Sequence, residues 1–209
     1  MPRLTRKEKQ AHTRSCLMES AARVFTRRGL QQASIDEVAE DAGYTKGAFY
    51  ANFKNKEELF LAMLDERFTQ RLEEIERVIA GEGTAAEKAR RAGDDFAAMV
   101  AADPEWQRLF FEFTTYAARN DDFREELVTR YRAMRDRVAA ALRARHEEYG
   151  IEAALPFEQM ATMMCAMGNG FALEKLLERD AVSDDLYGSM LMVFFAGMAA
   201  LKKSEPAPA

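Results

Sequence analysis

The stretch Ser34–Phe60, SIDEVAEDAGYTKGAFYANFKNKEELF, gathers the residues best spaced for directed polar contacts, and the chemistry they suit is contact rather than catalysis. Ser34 and Glu37 have the spacing of a capping box, in which each side chain satisfies the other's free backbone N–H. Ile35, Val38, Ala39 and Ala42 then recur at i, i+3, i+4 and i+7, so the helix they open is apolar on one side only. Gly43 ends it. Thr45 can cap a third, very short helix that stops near Tyr50 or Ala51, and Asn55, with Glu58 three residues on, caps the next. Two short helices joined by a glycine-containing turn form a helix-turn-helix. The major groove of DNA is about 12 Å wide and admits one helix, whose N-terminal residues meet base edges. Lys46, Gly47 and Ala48 give the second helix the small and polar residues such an approach needs. Gly47 costs about 1 kcal/mol in a helix relative to Ala, and close approach to a duplex is one reason for it to be there.

Charge supports the same division of labour. The chain of 209 residues has a net charge of −5. Met1–Lys56 holds 11 Lys+Arg against 6 Asp+Glu, a balance of +5, and the remainder stands at −10. A basic end joined to an acidic body is the asymmetry expected when only one end meets a polyanion.

The elements that must position these residues all read as helices; no sustained alternation of β-branched residues signals a strand. The fold class expected is all-α: an N-terminal three-helix helix-turn-helix domain, then a larger helical domain, about nine helices in all. The first helix spans about 6–28, with Leu17, Ala21, Val24 and Phe25 on one face and Gly29 as its stop. The fourth starts after Asn55 and carries Leu59, Phe60, Met63, Leu64, Phe68, Leu72, Ile75 and Ile79 towards Gly81. Further helices are expected near 84–102, 104–118, 121–148, 156–180 and 183–203, with Pro104 and Pro156 at helix starts and Ser183 capping the last. Domain boundaries are drawn at 1–56, 57–204 and a disordered tail at 205–209.

The longest apolar run, Met190–Leu201, has twelve residues, against roughly 20 for a bilayer span. No apolar run follows the basic N-terminus, so no secretory signal is read there and a cytoplasmic location is the expectation. Cys16 and Cys165 lack partners at metal-ligand spacing and read as buried thiols. His12 and His146 lie on charged segments. No nucleophile with a base, no metal spacing and no glycine-rich phosphate loop is present, so an enzyme is disfavoured and neither cofactor nor metal is expected.

The run TKGAFYANFKNKEELF, Thr45–Phe60, with Ile35, Val38, Ala39 and Gly43 before it, closely resembles the signature of the TetR family of transcriptional regulators. The likeness is strong over about residues 10–65; beyond that only the helical layout and the closing GNGFALEKLL and SDDLYGSMLMVFFAGM helices fit. The resemblance implies that Thr45, Lys46, Gly47 and Ala48 face the major groove, and that Tyr50 and Asn52 touch backbone or base edges. It also implies that Ser34, Lys54 and Lys56 meet phosphate, while Phe49 and Phe53 form the small domain's core. A core role for Tyr50 and a solvated surface role for each lysine stand as alternatives. It further implies a homodimeric repressor on a near-palindromic operator, released by a small-molecule effector.

Phe96, Met99, Trp106, Phe110, Phe113, Tyr116, Met134, Met163, Met164, Met167 and Phe171 lie on helices that can surround such an effector, although an aromatic and Met stripe at helical spacing equally describes plain core. Glu112 reads as a partner for a cationic ligand or as an ordinary paired carboxylate. Gly168 and Gly170 suit either close contact at a dimer seam or a bend beside a pocket. Met190, Leu191, Phe194, Phe195 and Met198 make the last helix more apolar than one face requires, which favours burial against a second subunit. Two other readings remain: a helical partner-binding adaptor, which leaves the +5 front end unexplained, and an activator of the same family without effector.

Overall fold

The computed structural model describes residues 5–149 and 153–203, and among these it contains helices and no strand. The helices are α1 (Arg6–Gln32), α2 (Ile35–Asp41), α3 (Lys46–Tyr50), α4 (Lys56–Ala80), α5 (Ala85–Ala102), α6 (Pro104–Ala117), α7 (Asp121–Tyr149), α8 (Phe157–Leu177) and α9 (Leu186–Lys203). Their ends are set by local chemistry. Capping boxes open α1 (Thr5 with Glu8), α2 (Ser34 with Glu37) and α5 (Thr84 with Glu87). Side-chain oxygens of Asn55, Asp103 and Asn120 accept backbone N–H bonds in the first turns of α4, α6 and α7.

Two expectations about ends need correction. Helical geometry does break at Gly29, but the chain resumes it to Gln32. Ser183 does not cap α9, which begins at Leu186; its hydroxyl is turned to the Asp185 carboxylate instead. The expected tail at 205–209 lies outside the described residues.

The chain divides into two compact units: Met1–Arg67 with Arg108–Val128, and Phe68–Gln107 with Thr129–Ala209. Compactness thus cuts the chain elsewhere than at the expected 56/57 boundary. The reason in the first unit is aromatic. Phe60 of α4 stacks on Phe113 of α6 with centroids 3.4 Å apart, and Phe25 of α1 and Phe123 of α7 close on Phe113, each at 5.8 Å. Each such ring buries a large apolar area, so the later segment is an integral part of this core.

The second unit is built on Leu72, Val138, Ala139, Leu142, Met160, Ala161 and Phe194. Its tightest crossing is α5 on α9, at Gly93 and Gly188: a Cβ added to Gly93 would stand 2.2 Å from the Gly188 Cα. Only glycine permits backbones that close. Cys16 and Cys165 are each part-buried rather than fully buried, and burial pushes the Cys165 thiol up to about 11.

Candidate nucleic-acid interface and effector region

A five-residue helix has no stability of its own, so α3 must be held by its surroundings. Gly43, at φ +74°, turns the chain out of α2 in a conformation other residues rarely adopt. The Tyr44 N–H then closes the turn on the Ala39 carbonyl at 2.8 Å. The Thr45 hydroxyl accepts the Ala48 N–H at 3.2 Å. Phe49 is wholly buried, packed against Phe53 at 5.8 Å, which anchors α3 by its inner face as expected for both phenylalanines. Buried Ser20 donates to the Val38 carbonyl at 2.8 Å and so fixes α2 on α1. Arg14 donates to the Asn52 carbonyl at 2.9 Å and lies over the Phe53 ring.

What remains on the outer face is Thr45, Lys46, Gly47, Tyr50 and, past the helix, Lys54, all exposed; Ala48 is half-buried. Tyr50 keeps 52% of its surface in solvent, which removes the core alternative for it. Lys46 donates to the Asp36 carboxylate at 2.9 Å, and that hydrogen bond raises its pKa, so it stays cationic. Three arginines of α1 are already engaged by carboxylates of α2. Arg27 and Arg23 both bond Asp41, holding its carboxyl down to about 2, and Arg28 pairs with Glu37 at 3.2 Å.

Three expected DNA contacts have other employment. Lys56 donates to the carbonyls of Leu30 and Ala33, both at 2.7 Å, and so ties the end of α1 to the start of α4. Asn52 is half-buried; its Nδ2 donates to the Ala48 carbonyl at 2.8 Å and its Oδ1 is buried, so it positions α3. The Ser34 hydroxyl donates to Glu37 and accepts that residue's N–H, which leaves it no free proton for a phosphate. Ser20 and Arg14 were not singled out from the sequence. Ser20 falls on the apolar stripe of α1, three residues from Leu17 and four from Val24, and that was the signal available.

The expected effector residues are divided between the two units. Phe110, Phe113 and Tyr116 belong to the first unit, where Phe113 is core and Tyr116 donates to Glu57 at 3.1 Å. In the second unit Phe96 and Phe171 pack with Tyr187 at 4.8 and 5.6 Å. Met134, Met164 and Met167 rest against the core cluster, Trp106 is buried, Met99 is half-buried and Met163 is exposed. A cavity of about 170 Å³ does open in this unit, and none of the eleven lines it. Glu112 pairs with backbone: it accepts the Leu30 N–H at 2.7 Å, where α1 breaks.

The expected seam residues differ in exposure. Leu191 and Phe194 are buried in their own chain, Met190 and Met198 are half-buried, and a Cβ on Gly168 would meet Tyr187 and Phe96. Gly170 alone faces open space. The exposed apolar side chains of α8 and α9 are Met163, Leu173, Leu177, Leu186, Val193 and Leu201, with Gly197 also open. Among the described residues no three His, Cys, Asp or Glu side chains are grouped to hold a metal, and no helix is long and apolar enough to cross a membrane.

A short helix anchored by one buried phenylalanine, preceded by a capped helix and a positive-φ glycine turn, defines a DNA-binding regulator of the helix-turn-helix class. Residues 17–63 match the model described as bacterial regulatory proteins, tetR family, and residues 85–200 match that of the BetI-type transcriptional repressor, C-terminal. The second match alone spans more than half the chain, and the chain belongs to the TetR family of bacterial transcriptional regulators, which are not enzymes. It is 45% identical to the regulator TtgR of Pseudomonas putida over 65 residues, 31% of this chain and 30% of that protein. It is 31% identical to the activator FasR of Mycolicibacterium smegmatis over 110 residues, 53% of this chain and 48% of that one. The matched stretch therefore spans less than half of either relative. The fold is shared with FadR of Bacillus subtilis, solved with stearoyl-CoA, at a TM-score of 0.71 and 18% identity, covering 85% of this chain and 95% of FadR.

Proposed function

We propose that this protein is a homodimeric transcriptional repressor that places α3 in the major groove of a near-palindromic operator and lets go when a small molecule binds the second unit. Residues 1–56 would serve DNA and 57–204 the effector and the dimer; with DNA as the partner, the cytoplasm is its place. One observation carries the reading: Thr45, Lys46, Gly47 and Tyr50 stand exposed on one side of a helix whose other side is locked by Phe49. The apolar face of α8 and α9 supports a second copy of the chain as the other partner, since symmetric pairing presents α3 twice. Fluorescence anisotropy with duplex fragments from upstream of the protein's own gene tests it. If each subunit meets about four phosphates, the dimer meets about eight, and log K falls with log salt at a slope near −7. A slope near zero, or no retention of any fragment, would refute it.

A further inference from the structure

The 170 Å³ cavity lies where the end of α5, the first turn of α6, the last turns of α8 and the α8–α9 connection come together within the second unit. Its apolar wall includes Val100, Pro104 and Leu176. Gln107 also lines it, and this residue is buried, with only 6% of its surface exposed. A carboxamide carries two donor protons and an acceptor oxygen. That of Gln107 makes no hydrogen bond to any described residue; only its backbone N–H is engaged, on the Asp103 carbonyl at 3.4 Å. Neither its oxygen nor its nitrogen is sealed off, for the fully buried side-chain atom without a partner among the described residues is Asn52 Oδ1; the carboxamide of Gln107 therefore opens onto the cavity and can receive a group from outside the chain.

Charge narrows what that group can be. Lys175, its side chain only 10% exposed, donates to Asp184 at 2.6 Å and to the Arg179 carbonyl at 3.1 Å, which closes that pair upon itself. Arg179 and Asp180 add one charge of each sign at the exposed rim. The lining sums to zero and selects neither an anion nor a cation. Size gives the other bound: an apolar cavity of about 150 Å³ takes benzene.

We infer that this cavity binds a small uncharged molecule, one six-membered ring in bulk, whose hydroxyl or amide group is received by Gln107. The site rests on the reading of the second unit as effector-binding and gives that reading a place and a ligand chemistry that the sequence did not.

Benzamide and phenol, with toluene and benzoate as comparators, can be titrated into the full-length protein and followed by ligand-observed NMR. Benzamide and phenol should bind saturably in the millimolar range and more tightly than benzoate. Gln107→Leu should weaken both by about tenfold, the worth of one hydrogen bond, while toluene binding holds. Leu176→Trp should block all of them by filling the space, and circular dichroism establishes that each variant is folded. Benzoate binding as tightly as benzamide, benzamide binding unchanged in Gln107→Leu, or no saturable binding of either polar probe would overturn the inference. Operator titration of the same preparations separates the two claims. DNA binding without probe binding sinks this site alone, and probe binding without DNA binding sinks the repressor reading alone.

Discussion

Two glycines, one in each compact unit, show how differently the two regions are built. Gly93 has no room: a Cβ there would collide with the Gly188 backbone, so the packing of α5 on α9 within the chain demands glycine. Gly47 has room to spare. An added Cβ would meet only the Thr45 hydroxyl, at an ordinary 3.7 Å, and the residue is exposed. A glycine inside a helix costs about 1 kcal/mol against alanine, and nothing within this chain offsets that at position 47. The second unit's constraint is internal. That of α3 points outward, where the proposed duplex would approach.

The largest effect that tests this contrast lies in the aromatic core of the first unit. Phe113→Ala removes the ring stacked on Phe60 and contacting Phe25 and Phe123, and should lower stability by about 3–5 kcal/mol in urea unfolding. A loss under about 1 kcal/mol would mean that the 108–128 segment is not an integral part of that core. Next, Gly93→Ala should cost about 3 kcal/mol or yield insoluble protein, because backbone, unlike a side-chain tip, cannot step aside. If it folds as well as the native chain, the α5–α9 crossing is looser than described.

Val193→Asp places a charge on the outer face of α9, where 73% of the valine is exposed. Light scattering should show monomers with little change in monomer stability, whereas Phe194→Asp, one residue on and buried, should unfold the chain. Persistent dimers in Val193→Asp would put the seam elsewhere.

The smallest effect concerns acid. Asp41 titrates at about 2 in the folded chain instead of 3.8, held by Arg27 and Arg23. Its stabilisation is present above pH 3.8 and is lost as pH falls through 2. Both arginines are more than half exposed, so screening leaves about 1 kcal/mol. Asp41→Asn should lower stability by that amount at pH 6 and flatten the decline between pH 4 and 2; an unchanged decline would locate the acid sensitivity in other carboxylates.

What could be read from the sequence was what is local. Ser34 with Glu37, Thr45 with Ala48, and Asn55 with Glu58 are each three residues apart, and every one of those caps is formed. The order of the helices among the described residues followed from the same short-range signals and from apolar periodicity. Long-range pairings were not legible. Lys56 reaches carbonyls 23 and 26 residues away, and Glu112 a backbone N–H 82 residues away. Periodicity tells which side of a helix is apolar but not what covers it: Phe113 stacks on Phe60 of α4, and Phe194 is covered by its own chain. Gln107, a polar residue among the aromatics of α6, gave no sign of burial.

The central claim is that the exposed side of α3 enters duplex DNA. Gly47→Leu puts a long, helix-compatible side chain where the duplex would lie and where nothing in the chain obstructs it. Measured by anisotropy against the protein's own upstream fragment, the variant should lose at least a hundredfold in affinity while melting at or above the native temperature. Operator affinity equal to the native protein's would show that DNA does not come to this helix.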